Sequence, residues 1–283
     1  MNIFKTAILL TGLTLILVLA GEYFGGTDGA LLAFAVAAAM NFISYFYSDK
    51  IALRMYRAQP VTREELPRVY AVVERLTGRA GIPMPKIYVI PTESPNAFAT
   101  GRNPNHASVA VTHGILALLT DEELEGVLAH ELSHVRNRDI LTSSIAATLA
   151  GAITILGRMA CWFGGGRRRN GGLIGMLVML LLAPLAATLI QLWVSRTREY
   201  EADASGAHLT GNPYALASAL EKISDVSKQV PLLASPNNAH LFIIAPFLSG
   251  QSFASLFSTH PPVGKRIERL IGRPSVLGAG TRE

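Results

Sequence analysis

Five consecutive residues, His130-Glu131-Leu132-Ser133-His134, have the types and spacing for metal-assisted hydrolysis. Four residues of α-helix turn through about 400°, which places both imidazoles on one face, roughly a turn apart. Two histidines so placed can bind one zinc ion. Glu131 lies about 100° further round the helix, where its carboxylate can take a proton from the attacking water. The spacing therefore predicts His130 and His134 as ligands of one Zn²⁺ per chain and Glu131 as the general base.

A third protein ligand is expected, because catalytic zinc generally has three. The candidates are Glu199, Glu201 and Asp203. Alternate helical positions lie about 200° apart, so Glu199 and Glu201 cannot both face the ion, whereas Glu199 and Asp203 share a face at i and i+4. Spacing favours Glu199 as the ligand and leaves Glu201 as the alternative. Asp203 is expected to accept the second ring N–H of a liganding histidine, unless it is a surface acid paired with Arg196 or Arg198.

The composition indicates a membrane protein. Half of the 283 residues are hydrophobic and only 16% are charged, which is too apolar for an ordinary soluble domain of this length. The single cysteine, Cys161, excludes an internal disulfide framework and a cysteine-based zinc site. Lysines and arginines are scattered or flank apolar runs, so the net charge of +5 indicates membrane topology and not a nucleic-acid partner.

Two apolar runs near the start of the chain predict membrane helices, at residues 6–21 and 29–47. The first run could alternatively be a cleaved signal peptide. Lys50, Arg54 and Arg57 follow the second run directly. By the positive-inside rule, the domain after residue 50 is expected in the cytoplasm.

Two later apolar runs predict a hairpin that crosses the membrane or inserts deeply into it. Residues 172–194 are uncharged and long enough to span, whereas 141–163 is a weaker candidate that contains Arg158. If both runs cross, Arg167–Arg169 between them face outside, against the positive-inside rule; the alternative is that neither run crosses fully. We expect these arginines at a lipid surface.

Hydrophobic periodicity predicts the elements before the motif. An amphipathic helix is expected from Thr62 to about Arg79, followed by strands at 86–90 and 107–112 that are rich in β-branched residues. Asn96-Ala97-Phe98-Ala99 is expected as an edge strand between them.

A further helix is expected from Thr120, which has capping-box spacing with Glu123, and this helix carries the motif. The predicted fold class is α+β: a zincin-like metallopeptidase domain, mainly helical with a small β-sheet, plus two to four transmembrane helices. The expected organisation is a membrane anchor over 1–50, a first part of the peptidase domain over 51–140, the hydrophobic hairpin over 141–194, a second part over 195–273 and a flexible tail over 274–283.

Two segments, HELSHVRNRD at His130–Asp139 and SRTREYEAD at Ser195–Asp203, resemble the signature segments of the HtpX family. That family comprises bacterial membrane metallopeptidases related to the CAAX prenyl endopeptidases. The likeness extends to the early membrane helices, to Asn96–Gly101 and to a late His260-Pro261-Pro262.

The resemblance implies roles for individual residues. In the family's Glu-x-x-x-Asp pattern the first Glu binds zinc, which falls on Glu199. The segment Asn96-Ala97-Phe98-Ala99 would lay the substrate backbone along the cleft, and His260 would help to stabilise the tetrahedral oxyanion. The alternatives are an ordinary edge strand and a capping or surface histidine.

The sequence thus predicts a membrane-anchored zinc endopeptidase. The resemblance implies that it cleaves misfolded or damaged membrane proteins, in quality control and the stress response. Its expected partners are unfolded or membrane protein substrates and the lipid bilayer, with no nucleic acid. It is expected in the cell inner membrane as a multi-pass protein with its active site facing the cytoplasm. The alternatives are a non-catalytic membrane scaffold that retains a zinc site, and a prenyl-protein endopeptidase, which would need many more membrane helices than this chain offers.

Overall fold

A computed structural model describes residues 2–141, 145, 196–229 and 261–272. Four predictions therefore fall wholly or almost wholly outside the described residues: the hydrophobic hairpin over 141–194, the surface placement of Arg167–Arg169, the role of His260 and the tail over 274–283.

Seven helices, four strands and one short 3₁₀ turn at Pro104–His106 have defined bounds, and residues 139–141 and 145 are also helical. The helices are α1 (Asn2–Met55), α2 (Pro67–Ala80), α3 (His113–Leu118), α4 (Asp121–Arg136), α5 (Arg196–Thr210), α6 (Pro213–Gln229) and α7 (Val263–Ile271). The strands are β1 (Gln59–Pro60), β2 (Lys86–Ile90), β3 (Ala97–Gly101) and β4 (Ala107–Thr112).

Helix α1 is divided into two arms by Gly26, whose φ of +61° and ψ of −152° lie in a region that glycine alone adopts readily. The arms contact each other. Asn41 Nδ2 donates a hydrogen bond to Thr14 Oγ1 at 2.9 Å, and a Cβ atom on Gly21 would lie 2.4 Å from the carbonyl oxygen of Gly29. Small residues and polar side chains at a helix contact are typical of packing within a membrane.

One helix in the described part of the chain is long and apolar enough to cross a membrane, and it is the second arm, Gly25–Met55. It contains the predicted span at 29–47. The first arm contains a shorter apolar stretch, Leu10–Leu19. The total of two to four membrane helices remains a prediction.

The four strands form one mixed sheet in the order β1-β2-β4-β3. The central strands β2 and β4 are parallel, with Ile87 opposite Val109, and they occupy the predicted positions. Strand β3 is antiparallel to β4 and lies at the edge of the sheet, as expected for the Asn96–Ala99 segment, although it runs from Ala97 to Gly101. Strand β3 is therefore the outermost strand on one side of the described sheet, and all five of its residues are buried.

Helix α2 begins at Pro67, five residues later than the predicted start at Thr62. Proline suits the first turn of a helix because it lacks the N–H that would be unpaired there, and it disfavours helical geometry in the residue before it. The helix ends at Gly81, which takes the left-handed conformation at φ +65° and donates its N–H to Thr77 O.

The start of α4 is held by the predicted capping box. Thr120 Oγ1 accepts the Glu123 N–H, and the Glu123 carboxylate accepts the Thr120 N–H. Glu123 also accepts hydrogen bonds from Ser218 Oγ at 2.6 Å and Lys222 Nζ at 2.8 Å on α6. Burial opposes the charge on Glu123, but these donors, with Lys222 foremost, lower its pKa. The cap therefore fixes both the first turn of α4 and its contact with α6.

Helix α4 lies in the middle of the domain and contacts α2, α5, α6 and β3. The contact with α6 is close: a Cβ atom on Gly126 would lie 2.8 Å from the backbone nitrogen of Leu216. Apolar side chains of α2, the sheet, α6 and α7 pack against those of α4. The main core includes Val69, Val73, Leu76, Ile87, Val109, Leu124, Leu128, Leu132, Leu216, Leu220 and Ile267.

A second apolar cluster joins the end of α1 to the sheet. Ala52 and Leu53 pack with Phe98 on β3 and with residues of β2 and β4. The rings of Tyr56 and Phe98 add to it, with their centroids 5.2 Å apart. The membrane helix is thus packed directly against the edge strand.

Candidate active site

His130 and His134 lie one turn apart on α4, as the motif predicts, and their rings face the same volume. Their Nε2 atoms are 3.3 Å apart, and the ring planes are nearly perpendicular, at 89°. His130 is buried, and His134 is mostly buried.

Glu199 on α5 faces both histidines. Its carboxylate oxygens lie 3.7 Å from His130 Nε2 and 3.5 Å from His134 Nε2. Potential ligand atoms of the three residues all lie within 4.8 Å of one another. Glu201, the alternative third ligand, is exposed to solvent. The structure therefore brings Glu199, and not Glu201, to the histidine pair.

The close approach of α5 to α4 depends on Gly206, which sequence reasoning missed. A Cβ atom there would lie 2.9 Å from the backbone nitrogen of His130, so a larger residue would push the two helices apart at the site. Glu199, Asp203 and Gly206 are spaced at i, i+4 and i+7, which puts them on one face of the helix. That spacing was the signal available in the sequence.

As expected, Asp203 contacts His130 at Nδ1, the ring nitrogen that does not face Glu199. Asp203 Oδ1 lies 2.9 Å from His130 Nδ1, so the imidazole can donate its Nδ1–H and turn Nε2 towards Glu199. The alternative of a surface acid is wrong, because Asp203 is buried. Arg266 on α7 holds the same carboxylate by two hydrogen bonds, Nε to Oδ2 at 2.9 Å and Nη2 to Oδ1 at 2.6 Å.

Arg266 was not predicted from the sequence as part of the site. Its side chain is fully buried. Burial opposes the ionisation of Asp203, but the adjacent guanidinium holds the pKa of Asp203 well below its ordinary value. Burial likewise opposes the charge on Arg266, and Asp203 raises the pKa of Arg266. Both groups are therefore ionised. Arg266 fixes the position of the Asp203 carboxylate, which contacts His130 Nδ1.

His134 has its own carboxylate partner, Asp139, which sequence reasoning also missed. The chain turns just after α4, where Arg138 has a φ of +59°. Asp139 Oδ2 then lies 3.3 Å from His134 Nδ1, and Arg198 Nη1 donates to Asp139 Oδ1 at 3.3 Å. The available signal was an acid five residues beyond the motif.

The surroundings of the histidine pair are strongly anionic. Burial alone would lower the pKa of His134, but the hydrogen bond to Asp139 and the charges of Glu199 and Glu131 raise it to about 9. The same contact with His134 lowers the pKa of Asp139 against the effect of its burial. An environment that favours positive charge on an imidazole also favours a divalent cation between the imidazoles.

Glu131 points from α4 to the edge strand. Its Oε2 atom accepts the backbone N–H of Ala99 at 3.0 Å, and its side chain is almost fully buried. The proposed base is thus held between the histidine helix and β3.

The segment predicted to hold substrate lies beside Glu131. Asn96 precedes β3, donating its N–H to Thr112 Oγ1 at 2.9 Å and accepting the Thr112 N–H at 3.0 Å. Ala97, Phe98 and Ala99 are buried. The structure therefore brings four of the predicted site residues, Asn96 to Ala99, to the edge of the sheet nearest the histidines.

Comparisons with known proteins agree with this geometry. Residues 63–273 match the family described as Peptidase family M48. The matched range includes His130, His134 and Glu199. The match confirms the enzyme class predicted from the motif, a metalloprotease.

Curated relatives narrow the assignment. The chain is 54% identical over 286 residues to the Protease HtpX homolog of Desulfatibacillum aliphaticivorans, covering 98% of this chain and 92% of the relative. It is 53% identical to the Protease HtpX homolog of Pyrococcus abyssi, covering 94% of both chains. The chain belongs to the HtpX family within peptidase family M48, and it is a membrane protein.

A solved structure shares the fold. The crystal structure of Ste24p from S. mikatae matches with a TM-score of 0.55 at 21% identity. The match covers 95% of this chain but only 65% of that one. At this identity the likeness establishes the fold alone.

We expect Arg266→Met to destabilise the protein by about 3 to 5 kcal/mol, because it leaves Asp203 buried without its partner charge. Thermal unfolding of the detergent-solubilised protein measures the change. Lys265→Met is the matched control, since Lys265 is exposed on the same helix and its replacement should change stability by less than about 0.5 kcal/mol. Equal stability of the two variants would contradict the structural role of the pair.

Proposed function

We propose that the protein is a zinc-dependent endopeptidase in which His130, His134 and Glu199 bind the ion and Glu131 is the general base. One observation carries the proposal: ligand atoms of three residues from two helices converge within 4.8 Å. The second nitrogen of each histidine also faces a carboxylate, as is usual for liganding histidines.

The donor set fits zinc. Two imidazoles and one carboxylate form one of the common ligand sets of catalytic zinc, with a position left for substrate or water. Zinc supplies a Lewis acid that polarises a peptide carbonyl and makes water a nucleophile near neutral pH. Asp203 and Asp139 hold the two rings so that both Nε2 atoms face Glu199.

The protein's own groups perform the proton transfers in this proposal. The Glu131 carboxylate takes the proton of the attacking water and passes it to the departing amine nitrogen. The Ala99 N–H orients that carboxylate through Oε2. His260, which precedes α7, is proposed to donate a hydrogen bond to the oxyanion, in keeping with the sequence resemblance.

Strand β3 is proposed to bind the substrate backbone. It is the outermost strand of the described sheet on the side of Glu131, and an edge strand can add an extended peptide through main-chain hydrogen bonds. Recognition of the backbone gives little sequence preference. That property suits a protease of misfolded or damaged membrane proteins, which we propose as the substrates.

The active site is proposed to face the cytoplasm of a multi-pass protein. Lys50, Arg54 and Arg57 lie at the end of α1 that packs against the peptidase domain, and positive charge marks the cytoplasmic end of a membrane helix. The peptidase domain is proposed to comprise 51–140 and 195–273, with 1–50 as the membrane anchor and 141–194 as a membrane hairpin.

We expect Glu131→Gln to retain zinc but lose at least about a hundredfold in kcat, because the attacking water then lacks a base. Hydrolysis of an unfolded protein and metal analysis of the same preparation measure both properties. Glu122→Gln is the control, since Glu122 is exposed on the same helix. Turnover of the Glu131 variant within tenfold of wild type would refute its role.

Glu199→Ala should lose zinc and Glu201→Ala should keep it, because only Glu199 faces the histidines. Two imidazoles alone leave the usual catalytic set one ligand short. Metal content per chain after dialysis measures the difference. Loss of zinc from the Glu201 variant alone would reverse the assignment.

We expect cleavage only on the cytoplasmic side of the membrane. The measurement presents one unstructured segment on either face of a single-span substrate and compares the products. Cutting on the outer face alone would show that the proposed orientation is inverted, without affecting the assignment of the metal ligands.

A further inference from the structure

The edge strand lies alongside the last turns of the membrane helix and contacts it at two separated points. At one end, the rings of Phe98 and Tyr56 have centroids 5.2 Å apart. At the other end, the guanidinium of Arg102, directly after β3, lies 5.4 Å from the centroid of the Phe46 ring. Leu53 packs in the apolar cluster of Phe98.

These two contacts fix the direction of β3 relative to α1. From residue 98 to residue 102, an extended chain advances about 13 Å. From residue 56 back to residue 46, a helix covers about 15 Å. The lengths agree when strand and helix run antiparallel, so the chain from Phe98 to Arg102 runs along α1 towards the membrane.

Phe46, which Arg102 contacts, lies in a stretch of α1 whose residue types are typical of the bilayer surface. Phe46 lies in the helix able to cross the membrane, and Tyr45, Phe46 and Tyr47 are all exposed. Lys50 Nζ lies 5.2 Å from the centroid of the Tyr47 ring. Exposed aromatic rings followed by a cation are typical of the headgroup level at the end of a membrane helix. Arg102 therefore lies at the headgroups.

The distance from Glu131, the proposed base, to the headgroup level at Arg102 follows from the length of the strand. Glu131 bonds to the N–H of Ala99, and three further residues of extended chain reach Arg102, about 10 Å away. The headgroup layer adds about 5 to 7 Å, or two extended residues, before the apolar core begins.

We propose that β3 is a ruler, with Arg102 as its membrane end, that sets where membrane-bound substrates are cut. A substrate segment added to β3 leaves the bilayer alongside the strand and meets Glu131 about five residues from the apolar end of its own membrane helix. This inference rests on the proposed endopeptidase function. Backbone contacts give little preference for the sequence of the cleavage site, whereas the ruler selects the site by its distance from the membrane.

The test uses a single-span substrate whose cytoplasmic tail repeats one unstructured tripeptide, so that sites at successive repeats are chemically equivalent. Enzyme and substrate are reconstituted in the same vesicles, and the cut sites are mapped by mass spectrometry. We expect the cuts to cluster within about two residues of the fifth tail position. A four-residue Gly-Ser spacer inserted between the helix and the tail should leave that distance unchanged.

Arg102→Ala tests the membrane end of the ruler. We expect its cut sites to spread along the tail, while it hydrolyses the detached tail peptide within twofold of the wild-type rate. Lys86→Ala is the control, since Lys86 is exposed at the start of β2, and its cut sites should match those of wild type. An unchanged cut pattern for the Arg102 variant would overturn its assignment as the membrane end.

The detached peptide separates the two proposals. If wild type cuts it and the Glu131→Gln variant does not, the endopeptidase proposal stands. Cuts in the anchored tail that are evenly spread, or that move with the spacer instead of staying at a fixed distance from the bilayer, would then overturn the ruler alone. Failure of wild type to cut both the peptide and the anchored tail would overturn both proposals.

Discussion

The ion pair between Arg266 and Asp203 is the interaction on which the histidine site depends. Both side chains are buried, and two hydrogen bonds join them. Desolvating two charges is costly, and in the interior this cost is offset only by close, well-directed partners. The pair joins α7 to α5 beside α4, and in this arrangement Nε2 of His130 faces Glu199. The buried pair thus holds the Asp203 carboxylate where His130 Nδ1 contacts it.

A second constraint joins the site to the membrane. Glu131 bonds to the backbone of β3, and Phe98 of the same strand packs against the end of α1. The proposed base, the edge strand and the membrane helix therefore form one continuous set of contacts. A protease built in this way does not require a flexible tether between its anchor and its cleft.

Much of this arrangement follows from local sequence rules, and the rest depends on contacts between distant residues. The capping box at Thr120 and the strands β2 and β4 were predictable because their signals lie within a few residues. Spacing also favoured Glu199 and Asp203, which share one helical face with Gly206. Arg266 was not predictable, because its partner lies 63 positions away and an isolated arginine resembles a surface residue. Asp139 was missed because a turn after the helix, and not helical spacing, brings it to His134.

The order of the proposed ligands along the chain has a consequence for biosynthesis. His130 and His134 are made first, Glu199 and Asp203 follow more than 60 residues later, and Arg266 follows another 63 residues after Asp203. Because chains emerge from the ribosome starting at the N-terminus, the nascent protein contains the two histidines and the proposed base before the proposed third ligand, Glu199, exists. In the proposed mechanism, hydrolytic competence therefore arises only after Glu199 has been made, so the shorter nascent chain is not cleaved by its own unfinished catalytic centre.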